Sequence, residues 1–185
     1  ILITLSIAIL ALVIFISTRS SDFTVTRNLA IDATKDKIFS HINDFHKWSE
    51  WSAWSKIDPN EKIEFEGSSE GVGAIMKWSS DNKEVGQGSM KIIESALNES
   101  IKMELQMVKP FASTSSSEFS LKELNSTQTL VTWTMTGKKG FFAKAVGLFR
   151  DCSEMVGAKF DESLGNLRKV VESKGAVVAS EEVKS

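Results

Sequence analysis

The 185-residue sequence has no tyrosine, one cysteine, two prolines and two histidines. A single cysteine, Cys152, excludes an internal disulfide framework and the cysteine-stapled folds that depend on one. Neither His41 nor His46 has a cysteine at close spacing, so the composition offers no metal-ligand motif. Basic and acidic residues number 22 and 24, for a net charge of −2, and no run of like sign occurs. That excludes the basic patch a general nucleic-acid binder needs. The glycines of "EGVG" and "GQG" lack the following helix and lysine of a phosphate-cradling loop. The missing tyrosine removes one common acid for enolate chemistry, leaving Asp, Glu and His.

What is present is 42% apolar residues, enough for a real core, in a length that suits one domain plus extras. The first seventeen residues, "ILITLSIAILALVIFIS", carry no charge and show no polar face, and the first charge is Arg19. Eighteen uncharged residues make a helix of about 27 Å, close to the roughly 30 Å of a hydrocarbon core. The chain begins at Ile1 rather than Met, so a longer span is expected. A cleaved secretory signal fits less well, because "FISTRSSDF" offers only a poor small-x-small site. The expectation is a single-pass membrane anchor over 1–17 and a polar linker over 18–22. Arg19, Arg27, Lys35 and Lys37 after the span favour a cytoplasmic domain by the positive-inside rule.

From residue 23 the patterning is that of a folded domain. Phe23, Val25, Leu29 and Ile31 share one parity, interrupted by Arg27, which predicts a strand. Thr34 is a candidate N-cap for a short helix carrying Ile38, Phe39 and Ile42. "DFHKWSEW" predicts a second short helix running into a Trp-Ser loop. Strand patterns follow at 62–67, 74–80, 84–95, 100–108 and in "STSSSEFSLKEL" and "TQTLVTWTMTG". Gly86 and Gly88 mark a bend or bulge. Ile101, Met103, Leu105 and Met107 alternate with Lys102, Glu104 and Gln106, as in a half-buried antiparallel strand. From Phe141 to Ser173 the period turns helical. Phe149, Cys152, Val156, Phe160, Leu164, Leu167 and Val171 form one apolar face, with Gly147, Gly157 and Gly165 as weak points. Cys152 on that face reads as a small buried hydrophobe. The last residues, 175–185, are expected to be a flexible tail.

The order of these elements, with "DFHKWSEWSAWSKIDPN", "GVGAIMKW", "VGQGSMKI", "TLVTWTMTG" and "GAKFDESLGNL", resembles the START-like helix-grip (SRPBCC) superfamily. Specifically, it resembles the polyketide cyclase/dehydrase-like branch with an N-terminal membrane anchor. The resemblance covers Phe23 to about Ser173. It implies an α+β helix-grip fold: a curved antiparallel sheet of about six to seven strands around a long C-terminal helix, preceded by a transmembrane helix. The expected domain is 23–174. Relatives of this kind carry a basic start before the anchor, which would place the domain outside the cytoplasm, in the periplasmic or extracytoplasmic space. That side is favoured here.

"WSEWSAWS", residues 48–55, holds three of the five tryptophans. Cytokine-receptor and thrombospondin readings of such a motif need disulfides and are excluded. A membrane-interface belt is a further reading. The resemblance implies that this segment closes one end of the cavity between sheet and helix, where Trp48, Trp51 and Trp54 could share a face. By parity Met76, Met103 and Met135 point inward, and Trp78, Phe119, Trp133 and Phe160 complete an apolar wall. Each of these ten residues is also an ordinary core candidate. The fold's pocket makes them the expected ligand site. His41 and His46 read as surface or satisfied histidines. The expected function is binding of a hydrophobic or lipid-like small molecule, with no cofactor, no metal and no nucleic acid. Two alternatives stand beside it: an accessory subunit of a membrane protein complex with a filled core, and a polyketide cyclase-like enzyme. The thin catalytic complement argues against an enzyme, and the family name is a fold-level analogy.

Overall fold

The computed structural model describes residues 2–18, 20–138, 140, 144 and 152–182. An apolar helix α1 (Leu2–Thr18) leads into strand β1 (Asp22–Ile31). Two short helices follow, α2 (Lys35–Ile42) and α3 (Trp48–Trp51), with single 3-10 turns at Phe45–Lys47 and Trp54–Lys56. Then come β2 (Lys62–Gly67), β3 (Ala74–Ser79), β4 (Gln87–Ala96), β5 (Ser100–Lys109), β6 (Ser113–Asn125) and β7 (Gln128–Lys138). The long helix α4 (Cys152–Glu182) closes the order.

The seven strands form one antiparallel sheet in the order β1-β7-β6-β5-β4-β3-β2. Six of the strands are joined in simple meander order, and only β1 crosses to pair with the last. Register shifts at Gln87/Gly88 and Ile92/Glu94 break the β4–β5 ladder, and another at Glu123/Asn125 breaks β6–β7. Bulges of this kind bend strands and add twist, which gives the sheet a concave face. Gly88 also leaves room for a ring: a Cβ there would lie 2.6 Å from Cζ2 of Trp78.

On that concave face lies α4. Phe160, Leu164, Leu167 and Val171 are all buried, at spacings of four, three and four that keep them on one side of the helix. They meet the inward parity of the strands: Val25, Ile31, Ile92, Ile101, Met103, Leu105, Phe119, Leu121, Val131 and Trp133. Arg27 breaks the apolar parity of β1 because it faces Gly157. Its Nε bonds Oδ2 of Asp161 at 2.9 Å, and Nη2 lies 3.5 Å from Glu154. An added Cβ at Gly157 would collide with the guanidinium. The glycine that looked like a helix flaw is the socket for a strand–helix clasp.

Four expectations are met only in part. The expected membrane-spanning helix over 1–17 coincides with α1, a 17-residue apolar helix. No helix among the described residues is long and apolar enough to cross a membrane. The strand expected at 84–95 starts at Gln87, because the amide of Gly86, at φ +66°, turns back to the Asn82 carbonyl. Thr34 occupies the N-cap position of α2 but makes no side-chain capping bond. The helical backbone of α4 runs on to Glu182, past Ser173, where the apolar stripe ends. The helix start expected from Phe141, with Gly147 and Phe149, lies outside the described residues, as do the side chain of Cys152 and residues 183–185.

Candidate functional site

Between the concave sheet, α4 and the Trp-Ser segment lies a cavity of about 670 Å³. Its position follows from the sequence. Inward strand positions are apolar but uneven in size, and α4 spans the sheet as a rod that cannot fill a curved trough. Trp133 forms the inner end. Its ring stacks on Phe160 of α4 at 3.8 Å and 6° between planes, and Phe119 stacks on it at 4.5 Å. The indole N–H of Trp133 donates to Oγ of Ser117 at 2.8 Å, so this buried ring is oriented and satisfied. The walls come from Phe23, Val25 and Met135 on one side and from Ile63, Met76, Trp78, Met90, Leu105 and Met107 on the other.

The three tryptophans of the opening motif have different fates. Trp48 is buried and donates its indole N–H to the Ile42 carbonyl at 2.9 Å, and its ring borders the cavity. Trp51 is fully buried, donates to the His41 carbonyl at 3.2 Å, and does not line the cavity. Trp54 is half-buried, lines the cavity, and meets Trp133 and Phe160 edge-on at 6.1 and 6.0 Å. A one-turn helix explains the split. α3 ends at Trp51, and Ser52 turns to an extended backbone at ψ 129°, so Trp54 leaves the helical face that Trp48 and Trp51 share. Ala53 is fixed between them, its amide donating to the buried Oγ of Ser163 on α4 at 2.9 Å.

Seven of the ten expected residues line the cavity: Trp48, Trp54, Met76, Trp78, Trp133, Met135 and Phe160. Trp51, Met103 and Phe119 do not, and the expectation for them is corrected to sealed core, since each is fully buried. Met103 and Phe119 both have the correct parity: Phe119 lies against the Trp133 ring that stacks on it at 4.5 Å, and Met103 pairs with Ser117 and is fully buried. The sequence reading missed three serines, Ser113, Ser115 and Ser117, which line the cavity from β6. Their signal was available: they share the parity of Phe119 and Leu121. It also missed Glu61, which lines the cavity just before β2. Burial, with the negative charge of Asp58 beside it, pushes the Glu61 carboxyl above the usual carboxylate range. Asp58 itself is held low by hydrogen bonds from the Ser80 hydroxyl and the Asn60 amide.

The histidines stand apart from this space. Nδ1 of His41 donates to the Lys37 carbonyl at 2.8 Å, and His46 pairs with Asp44 at 2.9 Å while stacking on Phe65. Among the described residues no cluster of His, Cys, Asp and Glu could hold a metal ion.

Residues 22–172 match the family described as polyketide cyclase / dehydrase and lipid transport. The chain belongs to that family. Its members' description joins two kinds of activity, so membership alone does not choose between chemistry and carriage. The family fold is also seen in solved structures. The Aha1 dimer of Colwellia psychrerythraea is 16% identical, with 81% of this chain and 96% of that one covered at a TM-score of 0.58. A protein of Chromobacterium violaceum is 13% identical over 80% and 96%, with a TM-score of 0.59. A protein of Helicobacter pylori is 11% identical over 82% and 89%, with a TM-score of 0.61. At such identities the likeness is one of fold. A sequence comparison with curated proteins finds no match.

Proposed function

We propose that this chain binds an apolar, lipid-like small molecule in the cavity and does so while attached to a membrane. The observation that carries the first half is the cavity itself. About 670 Å³ of space stands open among Met, Trp, Phe, Leu and Val side chains, within the size range of small-molecule sites. Lined by Met76, Met90, Met107 and Met135, it has flexible walls suited to chains of varied shape. The family's link to lipid transport agrees with that reading.

Support for the second half comes from α1. Leu10, Leu12, Val13, Ile14 and Phe15 are exposed, while Ile16 at the domain end of the helix is buried. A helix that leaves this run of large apolar side chains exposed gains by entering lipid. It joins the domain at β1, whose Phe23 lines the cavity. Exposed Val108 and Phe111, around the β5–β6 turn, add apolar surface beside the same space, which Phe111 lines. The attachment would hold the cavity close to molecules that partition into the bilayer. Arg19, Arg27, Lys35 and Lys37 argue for the cytoplasmic side, the resemblance to anchored relatives with a basic start argues for the extracytoplasmic side, and we favour the latter.

The test is a tryptophan-fluorescence titration with a long-chain fatty acid such as stearate. Trp54, Trp78 and Trp133 line the cavity, so occupancy should shift or quench emission. An unchanged spectrum at saturating stearate, with no displacement of a reporter dye, would defeat the binding reading.

A second reading, a cyclase-like enzyme, draws on Glu61. A carboxyl with a raised pKa at a cavity wall is the usual raw material of general acid–base catalysis. Turnover of a poly-β-ketone by the wild-type chain, abolished in Glu61→Gln, would favour it over simple binding.

A further inference from the structure

The cavity is apolar with one exception in its deep wall. Ser113, Ser115 and Ser117 succeed one another at alternate positions of β6 and all line it. At about 3.4 Å per residue, this stripe runs some 14 Å along the strand, ending beside the Trp133 stack. These hydroxyls keep hydrogen-bonding capacity that the protein does not use. Ser117 is fully buried, and its oxygen accepts from Trp133 while its own proton has no acceptor among the described residues. Ser115 is 9% exposed, and its hydroxyl makes no hydrogen bond among the described residues. Room for it is kept by Gly137 on β7, where a Cβ would lie 2.6 Å from the Ser115 oxygen. Across the cavity, Ser52 is 5% exposed, lines the space, and its hydroxyl is likewise unused within the described residues. A pocket built only for saturated hydrocarbon gains nothing from hydroxyls at such depth, since desolvating each is a cost unless a partner meets it.

The charges have a different distribution. Glu61, Glu84 and Lys138 are the charged residues among those lining the cavity, and all lie in loops or at a strand end. The deep wall therefore offers neutral donors and acceptors and no counter-ion.

Resting on the binding reading above, we infer that the ligand is an elongated amphiphile with neutral oxygen functions along its chain, hydroxyl or carbonyl, which meet the Ser113–Ser115–Ser117 stripe. A plain acyl chain fills the same space but leaves those hydroxyls unpaired. An ionised group fits at the rim and not at the stripe, because its burial without a counter-ion is far more costly than that of a neutral oxygen.

The test compares stearate with its 5-, 9- and 12-hydroxy derivatives on the full chain, by tryptophan-fluorescence titration. These probes share a carboxylate and chain length and differ in one mid-chain oxygen. At least one derivative should bind the wild type about three- to tenfold more tightly than stearate, the size of one neutral hydrogen bond. Ser115→Ala should return the ratio of that derivative's affinity to stearate's to parity, whatever the two absolute affinities become. Ser113→Ala, a half-buried site, serves as the second variant should Ser115→Ala fold poorly. Equal binding of all four probes by the wild type would overturn the inference and leave the binding reading intact. So would a preference that survives both substitutions. Failure of every probe, stearate included, would overturn both.

Discussion

Replacing Trp51 and Trp54 separately by alanine should separate packing from recognition within a single eight-residue motif. Trp51 is fully buried: its ring meets Trp48 at 4.7 Å, and Phe119 and Trp133 near 6 Å, and its N–H is bonded to the His41 carbonyl. Truncation there leaves a cavity and an unpaired carbonyl, and should destabilise by about 3–5 kcal/mol. Trp54 is half-buried, with two edge-on ring contacts and no indole hydrogen bond within the described residues. Each such contact contributes about 0.5–1.5 kcal/mol beyond burial, so Trp54→Ala should cost about 1–3 kcal/mol. Ligand affinity should respond in the opposite order. Trp54 borders the space and Trp51 does not. The assay is urea unfolding followed by circular dichroism, paired with stearate titration of the folded fraction. Comparable destabilisation by both substitutions, with unchanged affinity in Trp54→Ala, would refute the division and make all three tryptophans plugs.

Ser163→Ala should destabilise by about 1–3 kcal/mol in the same unfolding assay, because it strands the buried amide of Ala53. Gly157→Ala should cost about 1–3 kcal/mol by forcing the Arg27 guanidinium out of its socket, and Gly157→Ala combined with Arg27→Ala should lose less than the sum of the two. Burial pushes Asp44 up, yet bonds from the side chain and amide of His46 and the charge of Lys47 outweigh it and hold its pKa below the ordinary 3.8. A depressed carboxylate stabilises above its unfolded pKa and loses that contribution as pH falls, so Asp44→Asn should flatten the stability–pH curve below about pH 4. A chain starting at Ser20 should unfold cooperatively on its own, since the sheet and the α4 stripe bury each other without α1; a molten, dye-binding product would count against that boundary.

Much of the fold was legible because two periods carry it. Faultless alternation in "SIKMELQMV" and "TLVTWTMTG" specified β5 and β7 with their buried faces, and the four-three-four spacing from Phe160 to Val171 specified the face of α4. Parity assigns a face but not a depth along it. That is why Met103 and Phe119 read as lining residues although both are fully buried and neither borders the cavity. Trp51 was misread for a related reason. A spacing of three suggested one helical face for all three tryptophans, and the turn at Ser52 ended the helix before Trp54. The serine stripe went unread because small polar residues on an inward parity look like a weak strand, not like a lining. Arg27 looked like an interruption until Gly157, 130 positions later, supplied its partner space. Pairings of that kind have no local signal.

The central claim is that the space under α4 is a ligand site. Native mass spectrometry of the protein extracted in mild detergent, before and after incubation with a total lipid extract, tests it most directly. The account predicts a discrete added mass in equimolar amount, lost on organic extraction and reduced in Trp54→Ala. Only the bare polypeptide mass under both conditions would contradict it.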